Sequence, residues 1–162
     1  KAPESSDKEN EYQPTIPSHT FVGKCTISVT NDKGTYYLTR SKSTNKKYKN
    51  MAVLTDNKED AILYMEKEGN NRYFVILDGQ GSHYSLCYAG NELKNGVRIK
   101  FSILTEENPP ETYQWNLKDS ENVFYANDPG YYISYDAKNG ITLQQAKEGE
   151  IIPGHWKITM EP

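Results

Sequence analysis

Gly34-Thr-Tyr-Tyr-Leu-Thr-Arg40 decides how this chain is read, because the pattern returns twice. Ser82-His-Tyr-Ser-Leu-Cys-Tyr88 and Gly130-Tyr-Tyr-Ile-Ser-Tyr135 align with it on Leu38, Leu86 and Ile133, at separations of 48 and 47 residues. Tyr, Thr and Ile favour the pleated, half-buried surface of a strand. Each copy follows a turn sequence: Asn31-Asp-Lys-Gly34, Asp78-Gly-Gln-Gly81 and Asn127-Asp-Pro-Gly130. Glycine there supplies positive φ, and Asp or Asn bonds nearby backbone.

Further markers keep the same spacing. Lys49-Asn50-Met-Ala, Lys94-Asn95-Gly-Val and Lys138-Asn139-Gly-Ile lie 45 and 44 residues apart. Asn-Gly between two strand-like runs is a hairpin signal. Strands are expected next, over Met51 to Thr55, Val97 to Leu104 and Ile141 to Gln145. Tyr113-Gln-Trp115-Asn-Leu117 and His155-Trp156-Lys-Ile158 close two units, and Ile62-Leu-Tyr-Met65 closes the first without Trp. Cys25 to Thr30, Tyr73 to Leu77 and Asn122 to Ala126 open them. Asp56 to Met65 comes nearest to helical period, and its place after a strand fits a loop better.

The expectation is an all-β chain of twelve short strands in three groups of four. No such unit buries a face alone, but six strands closing a barrel and three hairpins capping one end leave few free edges. This pattern resembles the β-trefoil over roughly residues 21 to 160. Trp115 and Trp156 fall at equivalent places and are expected in the core with Phe74, Ile76, Phe124, Ile27 and Val29.

Composition agrees and narrows the function. The chain has 162 residues, one domain by length, with 35% hydrophobic residues and 13 Tyr. A net charge of −3 gives no general reason for a nucleic-acid or anionic-membrane partner, and no apolar run is long enough to span a bilayer. Residues 1–19, polar and spotted with proline, read as a flexible arm ahead of a domain at 20–162. A start at Lys1 suggests a processed, secreted protein, with a cytoplasmic one as the alternative. No Asn-x-Ser/Thr sequon supports secretion. Cys25 and Cys87 are either one disulfide or two small buried residues.

Nothing nominates an enzyme. His19, His83 and His155 lie in the arm, a hairpin and a pre-Trp position, and no nucleophile elbow, zinc-binding helix or phosphate loop is present. No catalytic residue, metal or cofactor is assigned. Function then belongs to loops on a rigid scaffold. From Leu38 to Asn50 is 12 residues, against 9 from Leu86 to Asn95 and 6 from Ile133 to Asn139. The long loop holds five of the 19 Lys and Arg residues within ten positions. Two other unusual loops are Thr105 to Thr112, acidic with Pro109-Pro110, and Ala146 to Gly154, with Ile151-Ile152-Pro153.

Tyr73-Phe-Val-Ile, Lys100-Phe-Ser-Ile-Leu, the acidic Pro-rich loop and Tyr113-Gln-Trp115 together resemble the cadence of fungal β-trefoil protease inhibitors. Ile152-Pro-Gly-His-Trp156 is similar to the close of the mushroom cysteine-protease inhibitors. The resemblance implies a loop that enters the cleft of a target protease. Arg40, Lys42, Lys46 and Lys47 are the candidates for a trypsin-like pocket, where a cation meets a buried carboxylate. A cysteine protease would instead take neutral loops such as Asn31 to Gly34 or Gly79 to Gly81. The alternative partner is a glycan. Ricin-type lectins share the trefoil but carry Gln-x-Trp, where this chain has adjacent Gln114 and Trp115. Asp78, Tyr88 and Asn91, or Asp128, Tyr135 and Asn139, would imitate their sugar sites. A cytokine-like receptor contact and a sulfated glycan held by the basic loop are further alternatives.

Overall fold

The structure is a computed structural model and describes residues 12–104, 111–118, 123–126, 130–147 and 156–162. Within them the fold is all-β. Strands β1 (Thr20–Asn31) and β2 (Gly34–Arg40) form a hairpin with Asn31 opposite Gly34. Asn31 Oδ1 accepts from Lys33 N at 2.8 Å, and Gly34 takes φ 136°, which a side chain would resist. β3 (Ala52–Thr55) pairs with β2, and a 3-10 turn at Lys58–Ala61 leads to β4 (Leu63–Glu68). β5 (Asn71–Leu77), β6 (His83–Tyr88) and β7 (Ile99–Ile103) follow. After a 3-10 turn at Glu111–Tyr113 come β8 (Trp115–Lys118), β9 (Val123–Ala126), β10 (Tyr131–Asp136), β11 (Gly140–Gln145) and β12 (Lys157–Met160).

The strands build a nearly closed, barrel-like sheet. Antiparallel pairing runs from β12 to β1, then β4, β5, β8 and β9. The pairs β2–β3, β6–β7 and β10–β11 stand off this path and join one another. Asn50 O accepts from Phe101 N, Val97 O from Leu143 N and Leu143 O from Gly96 N, all at 2.8 Å.

Alternation sends one side of each barrel strand inward. Cys25 and Ile27 of β1, Leu63 and Met65 of β4, Phe74 and Ile76 of β5, and Phe124 and Ala126 of β9 meet in one core with Leu38, Leu86, Ile133, Trp115 and Trp156. Val29 packs against its edge. Each indole finds its acceptor in a hairpin off the barrel path: Trp115 Nε1 donates to Leu86 O at 2.9 Å, and Trp156 Nε1 to Ile133 O at 3.1 Å. Burying an indole contributes at most about 4–6 kcal/mol by area.

Several expectations shift. β1 begins at Thr20 rather than Cys25, because Phe21 and Gly23 continue the pairing with β4 across a bulge. β7 covers Ile99–Ile103, since the amide of Leu143 takes the Val97 carbonyl for the neighbouring hairpin. Residues 12–19, expected in a flexible arm, are packed, with Ile16 and His19 buried. Cys25 and Cys87 are buried free thiols. Asp128 and the segments 105–110 and 148–155, with His155 and Ile151-Ile152-Pro153, lie outside the described residues. Among the described residues no helix is long and apolar enough to cross a membrane.

Candidate functional site

The β2–β3 loop is built by short-range bonds between its own polar side chains and backbone. Ser41 Oγ accepts from Ser43 N and Ser43 Oγ from Asn45 N, each at 3.1 Å. Asn45 Oδ1 takes Lys47 N at 2.9 Å, and Asn45 O takes the amides of Tyr48 and Lys49 at 2.9 Å. Ser41 N to Met51 O at 2.7 Å closes the base. Small Ser and Asn side chains compete for backbone donors in this way, so the composition that looks featureless in the sequence is what orders the loop. Asn50 ends the loop at φ 63°, a conformation Asn tolerates better than most residues.

This order divides the basic residues. Arg40 is anchored: its Nη1 donates to Asn50 Oδ1 at 2.8 Å, and its guanidinium lies 4.1 Å from the centroid of Tyr84. Lys42 Nζ is 3.8 Å from Asp60 Oδ1, both exposed. Lys46 and Lys47 project from the outer turn, with the Lys47 ammonium 5.5 Å from the Tyr48 ring and Tyr48 itself 47% exposed. Lys46 has no ion-pair partner among the described residues.

Beside the loop lies a cleft of about 300 Å³ between β2, the 3-10 turn and the β5–β6 turn. Thr39, Arg40, Lys42, Glu59, Asp60 and Asp78 supply its polar wall, and Tyr64, Ile76 and Leu77 its apolar one. The 3-10 turn is fixed here by Asn57, whose Oδ1 accepts from Glu59 N at 3.1 Å, and by Thr39 Oγ1 donating to Asp60 O at 2.6 Å. The cleft thus joins Arg40 and Asp78, which the sequence assigned to different sites. Asp78 works as a turn residue: its Oδ1 accepts from Ser82 N at 2.8 Å and Gln80 N at 2.9 Å. Those bonds, the one from Ser82 foremost and with Arg40 adding, hold its carboxyl below the usual aspartate range.

The residues of the two sugar constellations are placed as follows. Tyr88 is buried, edge-on to Trp115 at 6.4 Å, so no ring face is free for a sugar. Asn91 is exposed and Tyr135 is half-buried against the core. Asn139 sits in a turn capped by Asp136, whose Oδ1 accepts its amide at 2.6 Å and that of Lys138 at 2.8 Å, bonds that lower the Asp136 carboxyl. Asn139 also lines a second polar cavity of about 360 Å³ with Arg98, Lys138, Thr142 and Gln144. Among the described residues no cluster of His, Cys, Asp and Glu is arranged to hold a metal ion.

Sequence reasoning missed Tyr84 under Arg40, Asp60 beside Lys42 and the cleft itself. Each joins segments distant in the chain, and no local pattern carries such a pairing. No family model, no curated protein and no solved structure matches this chain.

Proposed function

We propose that this chain is a β-trefoil protease inhibitor that offers Lys46 or Lys47 of the β2–β3 loop to the specificity pocket of a trypsin-like serine protease. The observation that carries the reading is the self-bonded loop, ordered from Ser41 to Met51 by its own side chains with two lysines on its outer turn. A loop already held in one shape loses little conformational freedom on docking, which is how a small contact becomes a tight one. A protease–inhibitor interface needs about 800 Å² per partner, and the Asp78–Ser82 turn across the cleft from this loop offers a second contact.

Three features support the trefoil itself. The pairing path from β12 through β1, β4, β5 and β8 to β9 matches a six-stranded barrel, and the three off-path hairpins match its cap. The two indole bonds end on Leu86 and Ile133, the residues on which the sequence copies align.

Inhibition of trypsin tests the function. Stoichiometric inhibition below micromolar concentration is expected. Lys46→Ser/Lys47→Ser should weaken it by about 100-fold, a ~2.7 kcal/mol loss at an interface anchor. The urea midpoint of that variant should stay where it is, since both lysines are exposed. Trypsin left fully active by micromolar unmodified chain would discard the reading.

A further inference from the structure

Glu66 is completely buried, yet it does not belong to the barrel core. On β4, Leu63 and Met65 point inward, so Tyr64 and Glu66 point outward. On β5, Phe74 and Ile76 point inward, so Tyr73, Val75 and Leu77 point outward. This outer face of β4–β6 is covered by residues 12–19. Tyr12 stacks on Tyr64 at 4.4 Å and on His83 at 5.2 Å. Thr15 Oγ1 lies 2.6 Å from His83 Nδ1, and Ile16 is buried with Val75 and Leu104. His19 stacks on Tyr73 at 4.1 Å.

The carboxylate is held from the same segment. Tyr12 Oη donates to Glu66 Oε2, and His19 Nδ1 donates to Glu66 Oε1 at 2.8 Å. No Lys or Arg pairs with Glu66 among the described residues; Glu68, the next residue on the same face of β4, lies 3.9 Å from His19 Nε2. The segment is attached through its side chains. Its one backbone bond among the described residues runs from His19 N to Ile16 O at 3.0 Å, within itself. A segment seated by the side chains of Tyr12, Thr15, Ile16 and His19, with one buried carboxylate accepting from both its ends, is held as a docked peptide is held.

We propose that the outer face of β4–β6 is a peptide-docking groove and that residues 12–19 are its built-in occupant. The groove selects a segment with a phenolic hydroxyl and a ring N–H, seven positions apart, flanking an aliphatic residue. Glu66 reads the two donors, and Val75 and Leu104 read the aliphatic side chain. The tethered segment competes at the high effective concentration of a short linker, so a partner peptide of this chemistry enters when the segment lifts. Tyr64 and Leu77 also line the cleft beside the basic loop, so lifting the segment bares one wall shared by both sites. The groove does not depend on the inhibitor reading.

The test uses the full chain with Tyr12→Ala and His19→Ala, and as probe a synthetic peptide of residues 12–20. Methyl resonances of Val75 and Leu104 should shift saturably in this variant, and the unmodified chain should need at least about 10-fold more peptide. Glu66→Gln added to the variant should weaken binding by about 10-fold or more. A folded variant that shows no saturable shift, or binding indifferent to Glu66→Gln, overturns the proposal. If the double variant does not fold, hydrogen exchange in full-length Glu66→Gln decides. The amide of His19, the one the segment bonds, exchanging at least about 10-fold faster with β4 and β5 unchanged supports a detachable occupant. Exchange rising together at His19 and in the two strands makes the segment an inseparable part of the core and overturns the proposal.

Discussion

The side chains of Trp115 and Trp156 each have one polar atom, and each aims it at a carbonyl in a hairpin off the barrel path. A Phe at either place keeps most of the ring volume and loses that donor. Trp115→Phe and Trp156→Phe should each cost about 1–3 kcal/mol in urea unfolding, from the lost bond and the smaller ring together. Costs that agree within about 1 kcal/mol are expected of equivalent positions; one neutral and one severe change would break the equivalence. Tyr88 makes the complementary case. Buried against Trp115, it stabilises the core, so Tyr88→Ala should cost about 3–5 kcal/mol and lower the thermal midpoint. The sequence made Trp115 and Trp156 legible as core because a large apolar ring at a repeated place has few other uses. It made Tyr88 ambiguous, since a tyrosine in a strand serves packing and stacking alike. Only its neighbour across 27 positions of chain decides between them.

Among the elements, strand runs and turns were legible because period-2 alternation and Gly or Asn-Gly punctuation are local signals. The length of the β2–β3 loop was equally plain. Its internal order was half-hidden: Ser41, Ser43 and Asn45 are turn formers, but the sequence does not say which amide each will take. That order yields its own prediction. Asn45→Ala removes the acceptor of Lys47 N, an exposed amide that water can serve instead. Global stability should change by less than about 0.5 kcal/mol, as for ordinary surface substitutions. Local opening is a separate equilibrium, so hydrogen exchange at Lys47, Tyr48 and Lys49 should accelerate. If the loop inhibits through its shape, trypsin inhibition should fall about 10-fold with the lysines still present. Unchanged exchange at those three amides would mean that the side-chain bonds do not order the loop.

For the molecule as a whole, what the sequence hid was the second layer outside the barrel. Ile16 and Tyr12 stand alone in a polar stretch, and single apolar residues in such company are ordinary. The available clue was on the other side of the contact. Tyr73-Phe-Val-Ile-Leu77 is apolar at every position, so both faces of β5 need cover, and the barrel covers only one. Cys25 lies in the barrel core, and Cys87 is buried on the face of β6 opposite Leu86 and Tyr88; both bear on how the fold answers to alkali. Burial pushes the Cys25 thiol from 9.0 to about 12, with Glu161 adding, and the Cys87 thiol from 9.0 to about 11, which Ser102 and Lys100 partly oppose. The unfolded chain releases both protons near 9.0, while the native one keeps them. Above that pH the native state binds more protons than the unfolded state, so stability falls as pH rises. Each thiol lowers it by about 1.4 kcal/mol per pH unit: both between about 9 and 11, then Cys25 alone to about 12. Urea midpoints should therefore hold steady up to pH 9 and drop steeply by pH 10.5, and Cys25→Ala/Cys87→Ala should flatten the drop while lowering the plateau. A midpoint that stays level from pH 8 to 10.5 in the unmodified chain would show that the thiols titrate freely in the folded state, and that neither buried site excludes hydroxide.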